Sequence, residues 1–303
     1  NSVRATRQGR AMRTDNMDGS PLLYTRENID SLRWPSTPNG EYARNYLLPM
    51  IQEGPQKYIR NVHNTEVMIA KVDETLLPVT VTDFHPENTY TVSPYSHYIS
   101  YGGYEEVRHL ENPPLEALIK LALHPVADWL HRTDFDRAVF VNNWLLSTNL
   151  YPSITATQLE VLSEALIHRF PDRAIVFRSV TESRDPHIRQ TLEARGYDLI
   201  LSRQVWFMDP EEARRTRQYK EDARVLRHHG YEIVDGQSLS DDDLCRAVEL
   251  YNLLYLEKYS YYNPQFTESF LRLARDKGAL TLRGLWRDGK LNGIMGYFAR
   301  NGL

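Results

Sequence analysis

The 303-residue chain contains one cysteine, Cys245, so it can form no internal disulfide and no cysteine-based zinc cluster. No apolar run approaches the ~18 residues that a membrane-spanning helix needs. The glycine-rich loops that bind dinucleotides or nucleoside triphosphates are missing, as is the Gly-x-Ser-x-Gly motif of serine hydrolases. A net charge of −4 provides no basic field for nucleic acid. We therefore expect a cytoplasmic protein without a membrane segment.

Histidine spacing gives no metal site. His124 and His131 lie seven residues apart, and His228 and His229 are adjacent. Neither spacing makes a two-histidine site with an acid on one helix. Cys245 lies on an apolar helix face, which indicates a structural residue rather than a nucleophile. The sequence interpretation therefore assigns no metal.

Apolar periodicity and turn residues predict a chain that alternates between strands and helices. Strands are predicted over residues 66–72, 76–82, 97–101, 137–146, 174–180, 199–208 and 231–235. Helices are predicted over residues 40–51, 113–132, 155–170, 187–196, 210–229, 241–258 and 265–277. Pro125 is expected to kink or split the helix that contains it, because proline lacks the backbone N–H donor.

Residues 278–300 show the clearest local pattern, which is a strand, a tight turn and a second strand. The Asp288-Gly289 pair stands between two apolar runs. This pair is the strongest short-range indication of a hairpin, because the turn requires positive φ and glycine adopts it without steric cost.

Composition divides the chain into four parts. Residues 1–20 are polar and show no periodicity, so we interpret them as a flexible arm; a basic partner-binding segment is the alternative. Residues 21–209 are expected to form an N-terminal domain, and residues 210–229 a charged linker helix. Residues 230–303 are expected to form the first half of a second domain.

Several of these segments resemble, in order, the later part of the GNAT (acyl-CoA N-acyltransferase) fold. Residues 137–146 resemble its central splayed strand, and residues 155–170 resemble the helix whose N-terminus receives the cofactor pyrophosphate. Residues 174–197, with Gly196-Tyr197 at their end, and residues 199–208 resemble its closing strand, helix and last strand. Residues 217–234 resemble the start of the second domain in tandem GNAT proteins such as the Fem aminoacyl-transferases.

The resemblance implies an α+β protein of two GNAT-like domains, each with a central mixed sheet flanked by helices, the second being incomplete in this chain. It implies a bacterial N-acyltransferase that moves an acyl group from a thioester, acyl-CoA or an acyl-carrier protein, to a small-molecule amine. A homodimer is compatible with it.

Two alternatives stay open, because the loop that should bind the cofactor departs from the family pattern. The family places an Arg/Gln-x-x-Gly-x-Gly/Ala loop before the long helix, whereas residues 147–155 contain no glycine. The first alternative is a non-catalytic ligand-binding or scaffold protein on degenerate GNAT lobes. The second is a Fem-like transferase that uses aminoacyl-tRNA.

Acyl transfer to an amine needs a base, a donor to the oxyanion and an acid for the leaving group. Asn142 and Asn143 interrupt an apolar strand, where each amide must find a partner and only one of them can face a given pocket. A buried polar network is the alternative interpretation. The predicted catalytic residues are Asn143, His97 and Tyr262.

Anion binding is predicted where a polar loop precedes a helix. Backbone N–H groups and hydroxyls there can bind a phosphate, although simple helix capping explains them equally well. Arginines in apolar strands favour an anionic partner, with Glu182 and Asp185 as the internal alternatives. The predicted cofactor-binding residues are Ser147, Thr148, Asn149, Thr155 and Arg178.

Two tyrosine-rich segments complete the predicted site. Tyrosine can act as the leaving-group acid, although aromatic side chains on a strand more commonly serve packing. Tyr261 and Tyr262 lie at a helix break before Asn263-Pro264, which indicates the lip of a pocket. The predicted substrate-binding residues are Tyr98, Tyr101, Trp144, Arg203 and Tyr261.

Overall fold

The computed structural model describes residues 22–300 and shows an α+β fold with two sheets. The strands are β1 (Leu23–Tyr24), β2 (Thr65–Val72), β3 (Thr75–Thr82), β4 (Ala138–Val141), β5 (Ala174–Phe177), β6 (Glu232–Asp235), β7 (Thr281–Arg287) and β8 (Lys290–Tyr297). The α-helices are α1 (Pro38–Glu53), α2 (Pro113–Arg132), α3 (Ala156–Arg169), α4 (Pro186–Ala194), α5 (Pro210–Arg215), α6 (Arg217–His228), α7 (Asp241–Tyr251) and α8 (Glu268–Lys277). The predicted arm at residues 1–20 lies outside the described residues.

The larger sheet is mixed, and its strands lie in the order β1-β2-β3-β4-β5. Neighbours from β1 to β4 are antiparallel, whereas β4 and β5 are parallel and are connected through α3. The predicted hairpin of β2 and β3 is confirmed, with Thr65 opposite Thr82 and Val72 opposite Thr75. Asp73 turns the chain in the left-handed region, at φ 53°.

The two faces of this sheet belong to different hydrophobic cores, because successive strand residues point to opposite sides. Met68 and Ala70 belong to one core, together with leucines of α3 and α4. Val67 and Ile69 belong to the other core, together with α1. That second core also contains buried residues of the C-terminal part of the chain, among them Leu239, Leu244, Ala247, Phe270, Ala274, Leu282 and Leu291. Helix α1 thus packs against elements from both parts of the chain.

The smaller sheet is antiparallel, in the order β6-β7-β8. The predicted hairpin at residues 278–300 is confirmed. Its turn has φ 55° at Asp288 and φ 69° at Gly289, so both central residues are left-handed, as a two-residue turn between twisted strands requires.

The predicted strand at residues 97–101 is wrong. Residues Ser96–Glu105 form a π-helix instead. Ser96, Ile99 and Ser100 are buried, and this spacing of three and four residues is helical, whereas Tyr98 is exposed. Large aromatic and small side chains alternate along this segment, and that pattern is typical of a strand. The segment is nevertheless helical, and both of its serines are buried.

Two further strand predictions are wrong in extent or type. The strand predicted at residues 137–146 ends at Val141, because Asn142 has φ 59° and leaves the extended conformation. Residues 199–208 form no strand, because no other strand among the described residues pairs with them. Leu201 and Trp206 in this segment are more than four-fifths exposed.

The helix predictions mostly hold, with differences at the breaks. Helix α2 continues through Pro125, so the expected split does not occur. The charged segment at residues 210–229 contains two helices, because Thr216 is extended and caps the second one. Beyond α7 the chain continues as a more widely wound π-helix at Asn252–Tyr259. Among residues 22–300, none of the helices combines the length and the apolar character that crossing a bilayer requires.

Candidate functional site

A polar network lies where β4 and β5 end. Three residues other than glycine adopt left-handed backbone conformations there: Asn142 at φ 59°, Leu145 at φ 59° and Ser179 at φ 61°. Such conformations cost on the order of 1–3 kcal/mol each and persist only where the surroundings fix them. In sheets with parallel strands, ligands bind outside the carboxyl ends of the strands. The strained ends of β4 and β5 are therefore the first place to look for a site.

Asn143 is the centre of this network. Its amide donates to Thr80 Oγ1 at 2.8 Å and to the Thr91 carbonyl at 2.9 Å. Its side-chain oxygen accepts from the Leu145 N–H at 3.1 Å and from the Arg178 guanidinium. Asn142 Oδ1 accepts from the Trp144 indole N–H at 3.1 Å, and both asparagine side chains are buried. The expectation that only one of the pair faces a given pocket stays a prediction, although Asn142 has already left the extended conformation from which strand alternation derives it.

Arg178 follows β5 and points its guanidinium into this network, where it donates to Asn143 and to the Leu146 carbonyl. Burial lowers the pKa of Arg178 to about 10, and the nearby charge of Arg203 acts in the same direction. Within residues 22–300, neither Arg178 nor Arg203 forms an ion pair with a carboxylate. The two internal partners considered from the sequence, Glu182 and Asp185, pair with Arg189 and Arg184 instead.

Tyr90 joins Arg203 to the aromatic residues. The Arg203 guanidinium lies 4.8 Å from the centre of the Tyr90 ring, a cation–π arrangement. The rings of His97 and Tyr101 lie 5.7 and 5.4 Å from the same ring. Tyr98 contacts His97 and donates its hydroxyl to the Leu201 carbonyl at 3.2 Å. The fold therefore brings together the predicted residues His97, Tyr98, Tyr101, Arg178 and Arg203.

His97 is the predicted catalytic residue of this cluster, and its ring can accept or release a proton. Burial lowers its pKa to about 4; a hydrogen bond to the Ser202 carbonyl, at 3.3 Å, opposes this, and the charges of Arg203 and Arg178 add to it. The ring is therefore neutral at pH 7. With the Nε2 proton donated to Ser202, Nδ1 is left as an acceptor.

Trp144 lies in a second aromatic cluster, beneath an arginine. Its ring contacts Tyr42 and Tyr46, with ring centres 5.3 and 5.5 Å away. The Arg300 guanidinium lies 4.2 Å from the Trp144 ring and 4.3 Å from the Tyr42 ring. Burial lowers the pKa of Arg300 to about 10. Trp144 is only 1% exposed, so its predicted role in substrate binding stays a prediction that would require Arg300 to move.

The predicted cofactor loop divides into two parts. Thr148 and Asn149 line a cleft of about 530 Å³, together with Ser179, Arg184, Asp185 and the exposed residues Val205, Trp206, Phe207 and Met208. Thr155 and Gln158 form a reciprocal capping box at the start of α3, each side chain accepting from the backbone N–H of the other residue. Ser147 is exposed. Their roles in cofactor binding remain predictions.

Tyr261 and Tyr262 lie where the C-terminal part of the chain meets the first sheet. The Tyr90 N–H donates to the Tyr262 carbonyl at 3.1 Å. Nearby, the amide of buried Asn61 donates to the Asn263 carbonyl and accepts from the Gln265 N–H, both at 2.9 Å. The two tyrosine rings are perpendicular, 6.0 Å apart. Tyr261 is exposed, and the segment is held beside Tyr90 by its backbone.

Sequence reasoning missed the residues that organise the cluster. Tyr90 contacts the rings of His97 and Tyr101 and the Arg203 guanidinium, but the sequence provided no reason to assign it a role of its own. Thr80 and Thr91 hold Asn143 and look like ordinary strand and loop residues in the sequence. Arg300 is far from Trp144 along the chain, so no local pattern could have indicated their contact.

Comparison with known proteins does not add a family. No protein-family model matches the chain, and neither the curated proteins nor the solved structures provide a match. The geometry of the described residues is therefore the basis for any functional proposal.

Proposed function

We propose that the chain is an N-acyltransferase with a GNAT-like N-terminal domain that moves an acyl group from acyl-CoA, or from an acyl-carrier thioester, to a small amine. The observation that carries the proposal is the pair Arg178 and Arg203, two cations without a carboxylate partner among the described residues, next to the strained ends of two parallel strands. Such a pair fits the phosphates of a thioester cofactor.

The arrangement of the sheet supports the proposal. An antiparallel hairpin leads to β4, and α3 then crosses to β5, which is parallel to β4. This is the order that the resemblance implies. The parallel pair places the residues after both strands at one edge of the sheet. Asn143 follows β4, Arg178 and Ser179 follow β5, and the cleft lined by Thr148 and Asn149 lies next to them.

In the proposed reaction the amine nitrogen attacks the thioester carbonyl, the C–S bond breaks, and the thiol leaves after receiving a proton. Because His97 is neutral at pH 7, its Nδ1 can accept a proton from the incoming ammonium, but with a pKa of about 4 it is a weak base. Burial is the main cause of the low pKa of His97, and the charges of Arg178 and Arg203 are a smaller cause. An anion bound between the two arginines would offset that smaller contribution and raise the pKa of His97. Cofactor binding would thereby strengthen the base.

A thermal-shift titration with acetyl-CoA and desulfo-CoA tests the proposal. Acetyl-CoA should raise the melting temperature, and Arg203→Gln should remove most of the shift because it deletes one of the two cations. Arg203 is exposed, so this variant loses only a cation–π contact worth about 0.5–1 kcal/mol and should fold. Arg224→Gln, at an exposed position of α6, is the matched control and should keep the full shift.

The outcome decides between the classes of function. Release of CoA in the presence of an amine mixture supports the transferase. A shift that Arg203→Gln leaves unchanged, or no shift with any CoA thioester, rejects the proposed cofactor site. Loss of transfer after ribonuclease treatment of a lysate would favour the aminoacyl-tRNA alternative.

A ligand-binding protein without catalysis is the second candidate. Two observations favour it: the low pKa of His97, and the capping box at Thr155, which already uses N–H groups that a pyrophosphate would need. This candidate predicts the same Arg203-dependent thermal shift with an anionic ligand, but no release of CoA whatever amine is supplied.

A further inference from the structure

A group of two histidines and a glutamate lies at the open end of the β2–β3 hairpin, outside the proposed acyl-transfer site. His63 precedes β2, whereas His85 and Glu87 follow β3. The antiparallel register places Thr65 opposite Thr82, so the chain entering β2 and the chain leaving β3 run side by side. Each side chain offers one possible ligand atom, a ring nitrogen or a carboxylate oxygen, and these three atoms lie within 4.8 Å of one another.

We propose that His63, His85 and Glu87 form a zinc site. Two imidazoles and one carboxylate are ligands that zinc takes in protein sites with three protein ligands, where a water fills the fourth position. Ligands about 2.1 Å from a tetrahedral ion stand roughly 3.4 Å apart, so atoms that lie within 4.8 Å of one another need to close by up to about 1.4 Å. The two rings are stacked, with centres 4.0 Å apart, and tilt apart on binding so that their nitrogens converge.

The surroundings of His63 fit this role. The Gln56 amide nitrogen lies 2.9 Å from His63 Nδ1. A metal-bound imidazole commonly donates its other N–H to such a partner, which fixes the orientation of the ring. Gln56 Nε2 donates to Nδ1 in this arrangement; rotation of the amide by a half-turn puts its oxygen there instead, so that Gln56 accepts from Nδ1–H and Nε2 of His63 is left for the ion. The His63 N–H itself donates to Asn88 Oδ1 at 2.6 Å, so the backbone is held as well.

The two ligand-bearing segments are already tied together without an ion. Asn64 donates to the Phe84 carbonyl at 3.1 Å, and the Asp83 N–H donates to the Asn64 carbonyl at 3.0 Å. The Thr89 N–H donates to the Asn61 carbonyl at 2.9 Å. An ion therefore meets a preformed pair of segments, and little chain ordering opposes its binding.

The site adjoins the joint between the two parts of the chain. Asn61 lies two residues before His63 and bonds Asn263 and Gln265, and Tyr90 lies three residues after Glu87 and bonds the Tyr262 carbonyl. Zinc bound at the hairpin end would hold both connecting segments at once. The ion would therefore have a structural role: it would stabilise the contact between the first sheet and the segment that carries Tyr261 and Tyr262.

Calorimetric titration of the full chain with ZnCl₂ tests the site, and cobalt absorption reports the ligand geometry. We expect one strong site with a tetrahedral cobalt spectrum, and no binding of Mg²⁺, which prefers oxygen ligands. His85→Gln should weaken zinc binding at least about 100-fold, as loss of a ligand exceeds the 10–100-fold effect of losing an outer partner. Glu87→Gln, at an exposed position, should weaken it less and leaves folding unaffected.

His124→Gln is the matched control, because His124 and Asp128 form an exposed pair on α2. It should bind zinc as the unmodified chain does. Equal weakening by His124→Gln, or unchanged binding in both His85→Gln and Glu87→Gln, would show that zinc binds scattered surface histidines and would overturn the proposal. Amide hydrogen exchange tests the structural role of the ion. Zinc should slow exchange at the Tyr90 and Gln265 N–H groups, and unchanged exchange with zinc bound would reject that role.

Discussion

His97 should make the protein lose stability on mild acidification, and removal of this histidine should remove that loss. Its pKa in the folded chain is about 4, against 6.5 in an unfolded chain. As the pH falls below 6.5, the unfolded state takes up the proton first, so the free energy of unfolding decreases until the pH reaches about 4. Proton linkage with these two values gives a loss of about 1.8 kcal/mol between pH 7 and pH 5.

The expected magnitude is smaller, because the His97 ring is partly exposed and solvent screens the groups around it. We therefore expect about 1 kcal/mol. His97→Gln should lose about 1 kcal/mol less stability than the unmodified chain between pH 7 and pH 5. Urea denaturation at both pH values measures the difference, since urea does not screen charges as guanidinium does.

The comparison of pH values separates the charge effect from packing. His97→Gln also removes ring contacts with Tyr90 and Tyr98, but that loss is the same at both pH values. His124→Gln is the control, because the side chain of His124 is largely exposed. If His97→Gln and the unmodified chain lose equal stability between pH 7 and pH 5, the argument that burial and the two arginines lower the pKa of His97 is refuted.

Two predictions concern stability alone. Gly289→Ala should lower the free energy of unfolding by about 1–2 kcal/mol, because φ is 69° there and a Cβ is unfavourable in that region; Gly293→Ala, whose nearest neighbour would be an ordinary 3.4 Å away, should change it by less than about 0.5 kcal/mol. Equal urea midpoints would contradict the turn geometry. Asn61→Ala should cost about 2–4 kcal/mol, because it leaves the buried Gln265 N–H and the Asn263 carbonyl without partners. A cost below about 1 kcal/mol by urea denaturation would show that water replaces the amide.

The two hairpins were predictable because each depends on neighbouring residues only. Asp288-Gly289 supplies the left-handed turn, and the flanking apolar runs supply the strands. Asp73 and Glu74 form the corresponding two-residue turn between β2 and β3. Where a turn and both strands lie within about 20 residues, local sequence contains nearly all the determinants of the structure.

The aromatic segment shows where local pattern fails. Tyr98 and Tyr101 are large and apolar enough to suggest an inward-facing strand, yet the buried residues are Ser96, Ile99 and Ser100. Burial of serine depends on what packs above it, and that information lies elsewhere in the chain. The strand expected at residues 199–208 fails for a related reason, since a strand exists only with a partner and the sequence of a single segment does not name one.

The site was predictable as a set of residue types but not as an arrangement. Arg178 and Asn143 stood out because polar groups in apolar segments need partners, and they are each other's partners. The contacts of Arg203 with Tyr90 and of Arg300 with Trp144 join segments that are distant in the sequence, so no spacing between residues along the chain indicates them. His63 and His85 could have been found by extending the predicted hairpin register by two or three residues, because the register already placed them together.

The core that α1 shares with the C-terminal elements has a consequence for how the chain is made. Tyr46 and Met50 of α1 are fully buried, and Phe270 packs edge-on against Tyr46, 6.1 Å away. During synthesis this face of α1 stays exposed until the ribosome has made the chain beyond Phe270. A nascent chain that holds only the first sheet would present an apolar helix face to chaperones, and the shared core would form only once α8 has been synthesised.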